Sequence, residues 1–293
     1  MEKFIEFTVT GLSTGSIYAL VAIGLALIYR STRILNFAHG DLATAGTFIA
    51  FMFLGMNFPI YGAAVLGMLF GGILAIAFYF GVLVPAQRRE ATHLGQIVLT
   101  LAMGLMIQGP VLYFGGTQPH SFPFFLDEFK IYKLGGASIN QLTLGTLIIA
   151  LIACALFYGL VQRTKLGLAM RATSENLQAA QTLGIPTRRI LAISWGFAAL
   201  LGVLAGLFLA PALVLDPFFM LDPFVKGFAA AILGGLNSLP GAIVGGLILG
   251  VGEAWAAQFV SVAFKNTLAF LIIILVLLVR PEGLLGDEFI ERV

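Results

Sequence analysis

Charge is scarce in this chain. Only 10% of its 293 residues are charged, with 16 Lys and Arg against 14 Asp and Glu, whereas a soluble domain carries about 25% charged residues. So few charges cannot cover the surface of a water-soluble globule of this size. The net charge of +2 is also too small to indicate nucleic-acid binding. The composition therefore argues against both a soluble domain and a nucleic-acid-binding protein.

Cysteine and histidine are also scarce. The one cysteine, Cys154, lies within an apolar run and has no partner for an internal disulfide. The three histidines, His39, His93 and His120, lie in separate segments, so we expect no metal site and no cofactor. No Gly-Lys dipeptide occurs, so the sequence lacks a G-x-x-x-x-G-K-[ST] phosphate loop. We therefore expect that the chain itself does not hydrolyse ATP.

Apolar residues, in contrast, make up 59% of the chain. Several apolar runs reach the roughly 20 residues that cross a hydrocarbon core about 30 Å thick. This pattern predicts an all-α, polytopic integral membrane protein with about 7–8 transmembrane helices in a single domain, 1–293. A β-barrel would show short alternating segments instead. The first run has no small-residue cleavage site behind it, so we expect a retained helix and not a signal peptide. The predicted spans are 8–29, 40–57, 60–84, 96–114, 142–161, 190–210, 225–257 and 267–280.

The distribution of Lys and Arg predicts an orientation. Placing the arginines that follow the first and third spans, the polar segment 163–189 and the C-terminal arginines in the cytoplasm puts 11 positive residues there. It leaves 5 on the other side: Lys3, Lys130, Lys133, Lys226 and Lys265. The positive-inside rule favours this arrangement. We therefore predict that the N-terminus and the connections 115–140 and 211–224 lie outside and that 163–189 is cytoplasmic.

The run 225–257 is too long and too rich in glycine for one simple helix. Eight full crossings that begin outside would also leave Arg280 outside, against the charge rule. A glycine-broken, re-entrant hairpin that enters and leaves from the outer side restores the agreement. The alternative is one long, bent helix.

Glycines spaced four apart predict close helix packing in lipid, although glycine is common in such helices anyway. We expect about half of these pairs to be true contacts. The pairs are Gly11/Gly15, Gly67/Gly71, Gly202/Gly206, Gly241/Gly245 and Gly246/Gly250.

The only long polar segment with a helical pattern runs from Leu160 to Arg189. In a single helix over 166–184, one stripe would carry Leu168, Ala172, Glu175, Ala179 and Leu183. Gly184 would supply a left-handed C-terminal cap, and Pro186 would prevent continuation. The pattern fits a helix lying in the membrane interface and equally a helix that docks onto a soluble partner.

Polar residues mark the start of the second span and the glycine-rich run. Ionisable residues at membrane depth are costly and normally face a cavity or a partner, and glycine-broken segments in both halves of a transporter indicate a transport site. Helix capping is the alternative for His39 to Asp41, and a structural buried carboxylate is the alternative for Glu253. The predicted substrate pathway comprises Asn36, His39, Asp41, Thr44, Asn237, Ser238, Gly245 and Glu253.

Four stretches of the chain resemble one family. They are GLSTGSIYALVAIGLALIYRSTRILNFAHGDLATAGTF at 11–48, GLAMRATSENLQAAQTLGI at 167–185, LGGLNSLPGAIVGGLILGVGE at 233–253 and RPEGLLG at 280–286. The run from Asn36 to Asp41 is the most specific part. Together these stretches resemble the permeases of ABC importers for branched-chain amino acids, the LivH type. Asp41 stands where Glu is also common in that family, and Asn237-Ser238 stands where a pair such as Gly-Ser is frequent.

The resemblance implies a multi-pass permease subunit of the bacterial inner membrane and not an enzyme. It implies a second, paralogous permease that completes the pathway, two cytoplasmic subunits that use ATP, and a periplasmic or lipid-anchored solute-binding protein. The cargo would be branched-chain amino acids or a related small polar solute such as an amide or urea. The segment 163–189 would be the coupling loop, with ATPase contacts at Arg171, Glu175, Asn176, Ala179, Ala180 and Gly184.

Two other classes compete with this interpretation. A secondary transporter driven by an ion gradient would use buried charges such as Asp41 and Glu253, but it would leave the polar segment without a role. A membrane-embedded enzyme would need a catalytic constellation, and the sequence shows no clustered Ser/His/Asp or metal-ligand pattern.

Overall fold

The computed structural model describes residues 2–123, 130–134, 137–261 and 264–286. Most of them are helical, which confirms the predicted fold class. The helices are α1 Glu2–Thr32, α2 His39–Gly55, α3 Ile60–Phe78, α4 Val84–Arg88, α5 His93–Gly115, α6 Gln141–Arg163, α7 Lys165–Glu175, α8 Leu177–Thr182, α9 Thr187–Leu213, α10 Leu221–Gly234, α11 Leu239–Phe259 and α12 Phe264–Val279. A π-helical turn, Tyr79–Leu83, joins α3 to α4.

The chain divides into two compact units, each assembled from separate segments. The first unit comprises Met1–Ala26, Leu126–Cys154 and Val225–Val293, and the second comprises Leu27–Phe125 and Ala155–Phe224.

Six helices in the described part of the chain are long and apolar enough to cross a membrane. They are 2–32, 60–88, 93–115, 141–163, 187–213 and 239–259, and a shorter apolar helix covers 267–279. The ends follow local chemistry: the Thr92 hydroxyl accepts a hydrogen bond from the Gly95 N–H at the start of α5. Gly116, with φ 74°, ends α5 in a conformation that favours glycine.

The predicted outer connection 115–140 contains a β-hairpin that the sequence did not reveal. Strands β1 Ile131–Leu134 and β2 Ala137–Asn140 pair antiparallel, with Ile131 opposite Asn140. Residues 124–129 of this connection lie outside the described residues.

The glycine-rich run 225–257 is two helices, and the alternative of one long helix is wrong. Gly235, with φ 106°, ends α10, and the Ser238 hydroxyl accepts from the Gly241 N–H to start α11. A Cβ on Gly245 would meet the backbone of Ala230, so α10 and α11 form an antiparallel hairpin in backbone contact. The 14 residues of α10 span about 21 Å at 1.5 Å per residue, less than a hydrocarbon core.

The structure also differs from the predicted ends of the connection before this hairpin and from the predicted position of Lys226. The connection predicted at 211–224 is shorter, because α9 continues to Leu213 and α10 begins at Leu221. Lys226 is not a charge in that connection; it lies within α10 and is buried. It therefore drops out of the charges counted for the outer side.

All five Gly-xxx-Gly pairs lie at close helix contacts, more than the half we expected. In the first unit α1 crosses α11, where a Cβ on Gly15 would lie 2.7 Å from the Gly246 carbonyl oxygen. In the second unit α2, α3 and α9 meet, where a Cβ on Gly71 would lie 2.6 Å from a methyl group of Val203. These glycines allow the helices to approach each other directly, as helices in lipid commonly do.

Candidate functional site

The first four predicted pathway residues lie at the N-terminal end of α2, in the second unit. The N-cap position is Ala38, whose side chain cannot cap. The Asn36 side-chain oxygen instead accepts from the Ala38 N–H at 3.1 Å, and the Phe37 N–H donates to the Thr100 hydroxyl of α5 at 3.1 Å. The turn before α2 is therefore fixed by Asn36 and by α5.

Asp41 lies in the first turn of α2 and faces α5. Its Oδ1 accepts a hydrogen bond from Gln108 Nε2 at 2.9 Å. Its Oδ2 lies where a Cβ on Gly104 would collide with it, so the missing side chain at Gly104 makes room for the carboxylate. Asp41, Gln108 and Thr44 line one cavity of about 400 Å³.

His39 is fully buried in the core of the second unit. A Cβ on Gly202 would lie 3.1 Å from the imidazole, so the ring packs against α9 at a glycine. Neither ring nitrogen, nor Asn36 Nδ2, has a hydrogen-bond partner among the described residues. These contacts identify His39 as a packed side chain, and its role in a pathway stays a prediction.

Glu253 belongs to a buried cluster in the first unit that joins three helices. Tyr18 of α1 donates its hydroxyl to Glu253 Oε2 at 2.8 Å, and Lys226 Nζ of α10 lies 3.1 Å from Oε1. Both charged side chains are almost fully buried, at 4% and 2% exposure for Lys226 and Glu253. The arrangement matches the structural alternative for Glu253, because a buried carboxylate is tolerated when a cation and a hydrogen-bond donor satisfy it.

Sequence reasoning missed the partners of Glu253. Lys226 was counted as a charge of the outer side, although a lysine next to a long apolar run is itself a signal of a buried pair. Nothing in the local sequence marks Tyr18 as the third member, since the contact joins residues 235 positions apart.

The other three predicted pathway residues lie on the hairpin in the same unit. Asn237 and Ser238 form its turn, and Gly245 faces the backbone of α10. The C-terminal stretch 280–286 packs on the end of α10, where the Leu284 N–H donates to the Leu233 carbonyl at 2.8 Å. The stretches 233–253 and 280–286, which both carry the family resemblance, are therefore in contact. Close packing of α11 against the backbone of α10 explains the glycine at position 245.

The sequence predicted a single helix over 166–184, but the structure has two helices there, α7 and α8. The Thr164 hydroxyl starts α7 by accepting from the Gly167 N–H at 3.0 Å. Asn176, in an extended conformation, ends α7 and starts α8, where its side chain accepts from the Ala179 N–H at 2.9 Å. Because the chain breaks at Asn176, the stripe drawn over 166–184 does not exist as a single helical face.

The predicted coupling residues occupy different environments. Ala179, Glu175 and Asn176 are exposed, whereas Ala180 is buried within the chain and is therefore not available to a partner. Arg171 donates to the Gln162 side chain and carbonyl at 3.1 and 3.2 Å, so it holds α7 to the end of α6. Gly184 has φ 79°, which confirms the left-handed cap.

The surface of this two-helix element is apolar in part. Leu168 is 59% exposed and Leu183 is 81% exposed. Exposed leucines next to basic residues are typical of a surface that meets a partner or a lipid interface.

Comparisons with known proteins show the family. The family described as "Branched-chain amino acid transport system / permease component" matches residues 7–278. The high-affinity branched-chain amino acid transport system permease protein LivH of Escherichia coli K12 is 30% identical, over 99% of this chain and 98% of that protein. The corresponding protein BraD of Pseudomonas aeruginosa is 31% identical, with the same coverage of both chains.

A more distant relative has another cargo in its name. The autoinducer 2 import system permease protein LsrC of Escherichia coli O9:H4 is 29% identical, over 80% of this chain and 66% of that protein. The near-complete matches to LivH and BraD nevertheless decide the assignment, together with the apolar helices. The chain is a membrane transport protein and belongs to the family of branched-chain amino acid permeases, the LivH type of ABC importer subunit.

Proposed function

We propose that this chain forms half of the membrane pathway of an ABC importer that takes up branched-chain amino acids. The observation that carries the proposal is the family match over 7–278, nearly the whole chain. The near-complete coverage of relatives named for branched-chain amino acids favours that cargo over autoinducer 2, whose permease aligns with less of this chain.

The driving force comes from separate ATPase subunits that dock on α7 and α8. The exposed Leu168, Ala179 and Leu183 offer an apolar surface to such a partner, and the sequence lacks its own phosphate loop. A second, paralogous permease completes the pathway, and a solute-binding protein delivers the cargo. Access alternates because the ATPases have different affinities for two conformations of the permease.

The orientation has the N-terminus outside and α7 and α8 in the cytoplasm. Two contacts support it. His120 and Leu215 exchange backbone hydrogen bonds at 2.9 Å in both directions, so the connections after α5 and α9 lie at the same end of the second unit. The stretch after Arg280 packs beside the turn of the α10–α11 hairpin. With Arg280 in the cytoplasm, this turn lies toward the cytoplasmic side, and the start of α10 and the end of α11 point to the outer side. This is the arrangement that the distribution of arginines favours.

The test is uptake into proteoliposomes that contain this chain with its second permease and ATPases. With the solute-binding protein outside and ATP inside, leucine should accumulate, and ionophores that collapse proton and sodium gradients should leave the rate unchanged. Uptake that persists without ATP and stops with the ionophores would favour the ion-driven transporter.

A further inference from the structure

The cavity beside the N-terminal end of α2 combines one acid with apolar walls. Its volume of about 400 Å³ lies within the range of small-molecule sites, about 300–1,000 Å³. Among the described residues that line it, Asp41 carries the only charge, and Gln108 and Thr44 supply further polar groups. Most of the remaining wall is Phe and Leu. The cavity can therefore hold an ionic group at Asp41 and an apolar group against the Phe and Leu side chains.

Asp41 has room for one more partner. Among the residues that the structure describes, only Oδ1 receives a hydrogen bond from another residue, that from Gln108 Nε2 at 2.9 Å. No lysine or arginine in the described part of the chain lies within 4.0 Å of the carboxylate. A carboxylate in an apolar helix of a membrane protein is costly without a counter-charge, so a cation in the cavity would complete its environment.

The aromatic wall also favours a cation. Phe37 and Phe224 meet edge to face with centroids 6.3 Å apart, and Phe218 lines the same cavity. Ring faces attract an ammonium group by about 0.5–2 kcal/mol, more when water is excluded. The same rings and the neighbouring leucines suit an aliphatic side chain.

The cavity opens onto the surface of the chain. Leu105 and Leu221 at its rim are 71% and 63% exposed. A carboxylate without a counter-charge is costly next to lipid. The opening of the cavity is therefore expected to face the transport route and not the lipid.

We propose that this cavity binds a free amino acid with an apolar side chain, with its ammonium group on Asp41. Gln108 has a second amide N–H, free of the Asp41 bond, that can donate to the ligand carboxylate. The phenyl rings and leucines hold the side chain. This inference rests on the proposed transport function and adds to it a recognition site within the permease.

The first experiment measures leucine uptake by the complete complex in proteoliposomes. Asp41→Asn keeps the shape and removes the charge, and loss of a hydrogen bond to a charged group should lower kcat/KM for uptake by about 10- to 100-fold. Asp41→Glu should retain most of the uptake. Glu2→Gln, which removes an exposed charge at the start of α1, is the control and should behave as wild type.

The second experiment detects occupancy directly. In the assembled complex, Leu105→Cys should be alkylated by a maleimide more slowly when leucine is present, and Asp41→Asn should abolish this protection. The deaminated analogue 4-methylpentanoate should not protect. Protection that survives Asp41→Asn, equal protection by 4-methylpentanoate, or no protection by leucine would overturn the proposal.

Different results would refute the transport function and the ammonium site. If the wild-type complex shows no ATP-dependent leucine uptake, the proposed function is wrong. If the wild type transports leucine and Asp41→Asn transports it equally well, the transport function stands and only the ammonium site is wrong.

Discussion

Lys226 and Glu253 form a buried ion pair, with Nζ 3.1 Å from Oε1, that joins the short helix α10 to α11. Tyr18 of α1 donates to the other carboxylate oxygen at 2.8 Å. The Tyr18 hydrogen bond therefore ties the hairpin to the first helix, at a point where both charges of the pair are buried.

Removing one partner of this pair should destabilise the protein strongly. Glu253→Ala and Lys226→Ala each remove one partner of a buried ion pair, which costs about 3–5 kcal/mol. The double change Lys226→Met with Glu253→Leu should recover much of the loss, because two apolar side chains need no counter-charge. Thermal unfolding in detergent measures both, and a double variant less stable than either single one would refute the ion-pair account.

Tyr18→Phe tests the contribution of the tyrosine hydroxyl to the same cluster. It removes the hydroxyl that donates to the Glu253 carboxylate, so the loss should be about 1.5–3 kcal/mol, the range for a hydrogen bond to a charged group. A loss as large as that of Glu253→Ala would mean that Tyr18 contributes mainly through its packing.

The sequence predicts the helices well and their tertiary contacts poorly. Apolar runs indicate spans because a helix in lipid needs a continuous apolar stretch. The predicted span 142–161 therefore reappears almost unchanged in α6, and 60–84 lies within the continuous helical stretch 60–88 that comprises α3, the π-helical turn and α4. The break at Asn176 could not be predicted in this way. Helix periodicity does not reveal that the side chain of a single residue caps the helix that follows it. The ion pair of Lys226 was missed because its partner lies on another helix.

The candidate site was predicted in the same uneven way. Asp41 stands out in sequence because an acid in an apolar helix is unusual. Gln108 does not stand out, although it bonds to that acid from α5. Ala180 was assigned to a partner surface and is buried instead, since a break at Asn176 changes which face of the following helix points inward.

The crossing of α1 and α11 should not accept side chains. A Cβ on Gly246 would lie 2.6 Å from the Ala19 backbone nitrogen, so Gly246→Ala should force the helices apart. We expect a loss of about 1–3 kcal/mol, typical of overpacking. Gly252→Ala on the same helix is the control, because its Cβ would lie 3.4 Å from a Leu268 methyl group. Equal melting temperatures for the two variants would contradict the close crossing.

Arg171 should hold α7 in place, because it donates two hydrogen bonds to Gln162. Arg171→Glu removes both bonds, at a cost of roughly 1 kcal/mol each, and should expose the junction between α6 and α7. Trypsin should then cut faster after Arg163 and Lys165. Glu175→Gln removes an exposed charge on the same helix without adding a trypsin site and should leave the junction protected; equal cleavage after Arg163 and Lys165 in both variants would deny Arg171 this role.

Cysteine labelling should reveal the orientation. Ser121 and Gln178 are exposed, and the native Cys154 is buried, so a Cys154→Ala background serves only as a precaution. In intact spheroplasts an impermeant maleimide should label Ser121→Cys, and it should label Gln178→Cys only after permeabilisation. The reverse pattern would invert the topology that the arginines predict.

The most direct test of the central claim is ATPase coupling through the exposed face of α8. Ala179→Glu places a charge into the proposed docking surface, which costs several kcal/mol when the charge stays unpaired in a packed interface. Met56→Glu adds the same charge to the exposed α2–α3 turn and serves as the control. We predict that the Ala179→Glu complex loses its ATPase subunits, or hydrolyses ATP without leucine uptake, while Met56→Glu retains both. Normal ATPase retention and normal uptake per ATP in Ala179→Glu would contradict the account.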